Sequence, residues 1–195
     1  MPTVAVLPVN SFRRGKRRLA DALPEETRAQ LGRRFAERTA DLAIEAGLVP
    51  ILVAGDAEVA AWAFDLGFPS IPDPGEGLNG AAGAGVLWAT ESASAWLVIH
   101  TDLPLLTRGD VEELLKAMDR SGRVIAPSAD GGTSALGGHG AGRFSYGPGS
   151  FHHHLGRYPD SEIVARAGLL LDIDTVADLD AARLHSRGQW LGEIA

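Results

Sequence analysis

Residues Thr3–Leu19 read TVAVLPVNSFRRGKRRL. Val4–Val9 is a short, continuously apolar run ending in polar residues, the pattern of a strand buried on both faces. Directly after it, Arg13, Arg14, Lys16, Arg17 and Arg18 fall within six residues, in a chain whose 25 Asp and Glu outnumber its 18 Lys and Arg. Charge runs are usually solvated faces. The position of this one favours another use. In open α/β sheets ligands lie beyond the carboxyl ends of the strands, where a loop after the first strand sits. Basic groups around a glycine there suit phosphate, with Lys16 and Arg18 as the leading candidates and Arg13, Arg14 and Arg17 behind them.

Outward from this stretch, apolar runs alternate with amphipathic ones. A helix is predicted from Pro24 to Ala46, with Pro24 at its first turn and Gly47 at its end. Val49–Gly55 reads as a strand, Ala57–Leu66 as a helix, and Ser70-Ile71 as a short strand. A helix of small residues follows from about Leu78 to Thr90, then a buried strand at Trp96–His100. Arg108–Arg120 reads as a helix, Arg123–Pro127 as a strand, Leu169–Thr175 as a late strand and Val176–Leu184 as a helix. Glycine-rich Asp130–Gly149 shows no periodicity and is expected to form loops and a short hairpin near a ligand. This alternation predicts an α/β fold with a largely parallel sheet, and nothing divides residues 1–195 into more than one domain.

Composition narrows the function. The net charge of −7 argues against a nucleic-acid surface. The absence of cysteine excludes disulfides, thiolate metal sites and a cysteine nucleophile. No run approaches a membrane span, and the N-terminus lacks signal-peptide order. A soluble, cytoplasmic protein is therefore expected.

Two nucleotide-binding patterns are only partly met. Walker A spacing fails at Asn10 and Arg17. Gly75, Gly77 and Gly80 satisfy G-x-G-x-x-G, but after prolines rather than a first strand, so a turn into a helix is the simpler reading. The interest there is Asn79, beside glycines that admit a ligand to the backbone. Asp102 follows WLVIH at the expected carboxyl end of a strand. Asp172 and Asp174, two apart on the expected late strand, share a face. Either pattern alone is equally a polar strand end or cap. Together with a phosphate loop, Asp102, Asp172 and Asp174 read as an oxygen-rich Mg²⁺ site. His152, His153 and His154 are consecutive and do not offer chelating spacing. Gly147, Gly149 and Ser150 precede a short helix, where backbone N–H groups can meet an anion.

The segments PVNSFRRGKRRL, DPGEGLN, TDLPLL, ADGGTSAL, YGPGSF and LDIDTVADL, in that order, resemble the phosphoenolpyruvate and 2-phospho-L-lactate guanylyltransferases of coenzyme F-420 biosynthesis. The resemblance implies a three-layer α/β/α fold with a mostly parallel mixed sheet, Rossmann-like and similar to the nucleotide-diphospho-sugar transferases. It implies a guanylyltransferase acting on GTP and a small phosphorylated acid with Mg²⁺. By resemblance Lys16 belongs to the triphosphate loop and is catalytic with Asp102. Lys16, Arg18, Asn79 and Gly80 fall at the nucleotide, Thr133, Gly147 and Ser150 at the phosphorylated acid, and Asp102, Asp172 and Asp174 at the metal. The chain departs from the family pattern at Asn10, usually Lys, at Ser134, usually Asn, in a segment one residue shorter, and at His100-Thr101. A related nucleotidyltransferase with a molybdopterin or sugar-phosphate acceptor, and a non-catalytic nucleotide-binding module, are the competing readings. The oligomeric state stays open, a homodimer being the candidate assembly.

Overall fold

The computed structural model describes residues 2–92 and 95–194. Among these, seven strands form one sheet: β1 (Thr3–Val9), β2 (Val49–Ala54), β3 (Ser70–Pro72), β4 (Ala95–Ile99), β5 (Arg123–Pro127), β6 (Thr133–His139) and β7 (Glu162–Ile163). Their spatial order is β3-β2-β1-β4-β6-β5-β7. All pairings are parallel except those of β6, which runs antiparallel to both β4 and β5.

The helices are α1 (Glu25–Glu45), α2 (Ala57–Asp65), α3 (Gly77–Ser92), α4 (Arg108–Ser121), α5 (Ser150–Arg157), α6 (Ala167–Leu170) and α7 (Val176–Leu184). Side-chain alternation along β1 divides them into two layers. Ala5, Leu7 and Val9 pack with α1, α2 and α4 on one face. Val4 and Val6 pack with Ala81, Ala82, Val86 and Ala89 of α3 on the other, where Phe151 and Leu155 of α5 also lie. A third cluster, including Leu31, Phe35, Ile173, Leu179 and Leu191, fastens α7 and the C-terminal 3-10 turn to α1. No described helix is long and apolar enough to cross a membrane.

The structure corrects the sequence reading in two places. Residues 130–149 hold no hairpin of their own: Thr133–His139 is a seven-residue interior strand, β6, that turns back antiparallel on β5, which precedes the stretch. Thr133–Gly138 are buried, so no alternation betrays the strand. Its glycines are packing requirements: a Cβ on Gly137 would stand 2.8 Å from Leu97 Cδ1 and 3.0 Å from Val124 Cγ1. Leu169–Thr175, expected as a strand, is instead the end of α6 and an irregular segment leading into α7. Asp178 Oδ2 accepts the N–H groups of Asp174 (3.1 Å) and Thr175 (2.7 Å), which a strand would have offered to a neighbour. The segment is attached by the Ile173 N–H, which donates to the Asp102 carbonyl at 3.1 Å.

Candidate active site

The first loop leaves β1 at its carboxyl end and turns tightly. Asn10 Oδ1 accepts the Ser11 N–H at 2.7 Å, and Gly15 N–H donates to the Ser11 carbonyl at 2.8 Å. Lys16 then adopts the left-handed conformation at φ 52°, the one described non-glycine residue with positive φ. Such a geometry is uncommon for a long side chain and is held by its surroundings. The lysine turns inward, and its Nζ donates to Asp102 Oδ2 at 2.5 Å and to the Ile173 carbonyl at 2.6 Å.

Asp102 stands just beyond β4, as expected, and the irregular segment after α6 brings Asp172 and Asp174 to it. One ligand atom from each of the three carboxylates lies within 4.8 Å of the others. Among the described residues this is the one acidic or histidine group with metal-ligand spacing, and none of the three consecutive histidines belongs to it. Burial pushes the Asp102 carboxyl upward, but the charges of Lys16 and His100 and the Lys16 hydrogen bond outweigh it and hold the group below the ordinary range. Asp172 is raised to about 6, first by burial and then by the Asp102 charge. A set of hard oxygen donors of this kind matches what Mg²⁺ requires, and the Lys16 ammonium is a cation already paired with one of them, Asp102.

A cavity of about 300 Å³ opens over this cluster, with Asn10, Ser11, Lys16, Leu78, His100 and Asp102 among its walls. The other basic residues of the first loop divide. Arg18 pairs with Asp174 at 3.2 Å on the surface. Arg13 is engaged with Glu58 at 3.0 Å and Glu25 at 3.3 Å. Arg14 and Arg17 line an adjoining basic depression with Arg28.

Asn79, near the start of α3, spends its amide in a way the sequence does not reveal. Its Oδ1 accepts the Tyr146 N–H at 2.6 Å, and its Nδ2 donates to the Tyr146 carbonyl at 3.2 Å. The side chain therefore clasps the loop before α5 to the first turn of α3, which also contains Gly80. Thr133, Gly147 and Ser150 come together as expected. Ser150 N–H donates to the Gly147 carbonyl at 3.0 Å, and the Ser150 hydroxyl lies 3.3 Å from Thr133 Oγ1. Gly149, at φ 67°, supplies the left-handed turn that starts α5. Thr133 and Ser150 are each 2% exposed and are not among the residues that line the open cavity. Tyr146 connects the two regions: its ring is 5.2 Å from that of His100 and 4.9 Å from that of His154.

Sequence reasoning gave no role to Tyr146 or His154. Tyr146 carried no signal. His154 did: Ser150 and His154, four apart on a helix, share a face.

The family model described as "Guanylyl transferase CofC like" matches residues 3–193. The phosphoenolpyruvate guanylyltransferase of Rubrobacter xylanophilus is 37% identical, the match covering 96% of this chain and 96% of that protein. The 2-phospho-L-lactate guanylyltransferase of Methanothermobacter thermautotrophicus is 29% identical over 96% of this chain and 87% of its own length. Among solved structures, a Desulfovibrio desulfuricans protein named for the nucleotide-diphospho-sugar transferases superposes with a TM-score of 0.74, covering 99% of this chain and 95% of that one. At 18% identity that likeness carries the fold.

Proposed function

This chain belongs to the guanylyl transferase CofC-like family, and from that premise we propose that it joins GTP to a phosphorylated three-carbon acid, with pyrophosphate released, in the biosynthesis of the deazaflavin coenzyme F-420. Phosphoenolpyruvate is the first choice of acid because the relative named for it is the more similar, at 37% against 29% for the one named for 2-phospho-L-lactate. The observation that carries the reading is the meeting of Lys16 from the first loop with Asp102 beside Asp172 and Asp174. Residues 1–195 act in this reading as one nucleotidyltransferase domain, cytoplasmic and working on small molecules.

The chemistry follows from the charges. A phosphate oxygen of the acid forms a bond to the α-phosphorus of GTP. The bond from that phosphorus to the oxygen bridging to the β-phosphate breaks, and its electron pair leaves with pyrophosphate. The second pKa of a phosphate monoester is about 6, so the nucleophile is already largely dianionic at neutral pH and needs no general base. The obstacle is bringing two anions together, so positioning and charge neutralisation carry the catalysis. Mg²⁺ held by Asp102, Asp172 and Asp174 would supply neutralisation at the triphosphate. Lys16 presents an ammonium where the leaving pyrophosphate gathers charge, and Arg18 extends that positive edge. Asn79 and Gly80 border the nucleotide, with the Asn79 clasp setting the distance between nucleotide and acid loops. Thr133, Ser150 and the Gly147 backbone offer donors to the acid.

The test is pyrophosphate release from GTP and Mg²⁺ with phosphoenolpyruvate, 2-phospho-L-lactate and 3-phosphoglycerate supplied separately. Turnover with phosphoenolpyruvate is expected. Silence with all three, in protein that still binds GTP, would reject the assignment in favour of another acceptor or a non-catalytic relative.

A further inference from the structure

Of the three consecutive histidines, His152 and His153 are exposed, whereas His154 is 0% exposed and uses both ring nitrogens. Its Nε2 lies 2.8 Å from the Ser145 backbone nitrogen. A backbone N–H can only donate, so Nε2 is the unprotonated nitrogen. The neutral ring therefore holds its proton on Nδ1, which donates to Thr133 Oγ1 at 2.9 Å. Burial first, and then the nearby Arg157, hold the imidazole neutral, with its pKa lowered to about 4.

This pairing has a consequence for Thr133. One acceptor site of its hydroxyl is occupied by the imidazole, which leaves the hydroxyl proton to be given elsewhere. The same ring fixes Ser145, at the head of the loop that carries Gly147 and Ser150. One side chain thus sets both the donor direction of a strand residue and the start of the anion loop.

We propose that His154 is a positioning residue for the phosphorylated acid, holding Thr133 as a hydrogen-bond donor through its Nδ1–H tautomer. This rests on the assignment of Thr133 to the acid, so the test separates the two. In steady-state pyrophosphate release, Thr133→Ala should raise the KM for phosphoenolpyruvate and leave that for GTP within about twofold. If it does not, the assignment of the acid site fails. His154→Gln retains an acceptor near the Nε2 position and loses the Nδ1–H donor. It should raise the acid KM about tenfold or more, the cost of one buried donor, without moving the GTP KM. His154→Asn restores a donor near the Nδ1 position and should recover most of that loss. Thr133→Ala weakening the acid while His154→Gln does not would overturn the positioning role alone, as would equal losses for both substrates. Should the variants fail to fold, imidazole ¹⁵N spectra of the unaltered protein decide: Nδ1 protonated, with its resonance shifted by phosphoenolpyruvate in the presence of GTP, is expected. Nε2 protonated, or no response to the acid, sinks the proposal.

Discussion

Lys16 shows how a single residue can serve two cationic tasks. Its ammonium is paired with Asp102, one of the three clustered carboxylates, with 14% of the side chain exposed, and so competes with any metal ion for Asp102. Removing that charge while keeping the stem separates the tasks. Lys16→Met should bind Mn²⁺ alone several-fold more tightly than the unaltered protein, because a like charge has been removed from the cluster. The same variant should lose about 10²-fold or more in turnover, the usual penalty for deleting a preorganised donor at developing charge. Titration followed by electron paramagnetic resonance reads the first effect and pyrophosphate release the second. Unchanged or weaker Mn²⁺ binding would show that Lys16 is not the competing cation. This placement was partly legible. The sequence pointed to Lys16 as the phosphate-loop lysine, but its left-handed backbone and inward turn depend on Asp102 and Ile173, 86 and 157 residues away.

Among the elements, α4 is the best-anchored start near the site. Thr107 and Asp110 form a capping box, and the Asp110 side chain is 0% exposed. Its carboxylate also accepts Arg166 Nε at 2.6 Å and Arg187 Nη1 at 3.3 Å, which joins α4 to the segment before α6 and to the C-terminal turn. Gly168 is packed against it: a Cβ there would meet Asp110 Oδ2 at 2.1 Å. Asp110→Ala removes the carboxylate half of the capping box and both ion pairs while leaving the Thr107 cap, and a loss of about 3 kcal/mol in urea unfolding is expected. A loss below about 1 kcal/mol would mean that the arginines find other partners. Helix starts of this kind are legible in the sequence, since Thr107 and Asp110 stand at T-x-x-D spacing ahead of an apolar run. The late strand at Leu169–Thr175 was misread because the cap of α7 takes its backbone donors, and strand β6 was missed because burial on both faces erases the alternation that marks a strand.

For the whole molecule, the buried imidazole of His154 couples stability to pH. Its folded pKa is lowered to about 4, against about 6.5 when unfolded. Its contribution is therefore complete above pH 6.5 and is lost as pH falls towards 4, where the unfolded chain takes up the proton first. Arg157, His100 and His153 surround it, and all act to keep it neutral. Asp172 acts in the opposite sense, so net stability curves mix the two. The stability difference between the unaltered protein and His154→Gln isolates the histidine and should shrink by about 3 kcal/mol from pH 6.5 to 4. A difference that stays flat would place the proton elsewhere.

The sequence by itself determined the parallel half of the sheet, because short-range periodicity encodes those strands directly, and it singled out Lys16 and the three aspartates by residue type and resemblance, although the strand expected to carry Asp172 and Asp174 is absent. Tertiary structure alone decided that Asn79 clasps Tyr146, that β6 runs antiparallel inside the sheet, and that His154 orients Thr133. Each of these depends on partners 6 to 67 residues apart, where the choice of neighbour is made by packing and by the need to satisfy buried polar groups.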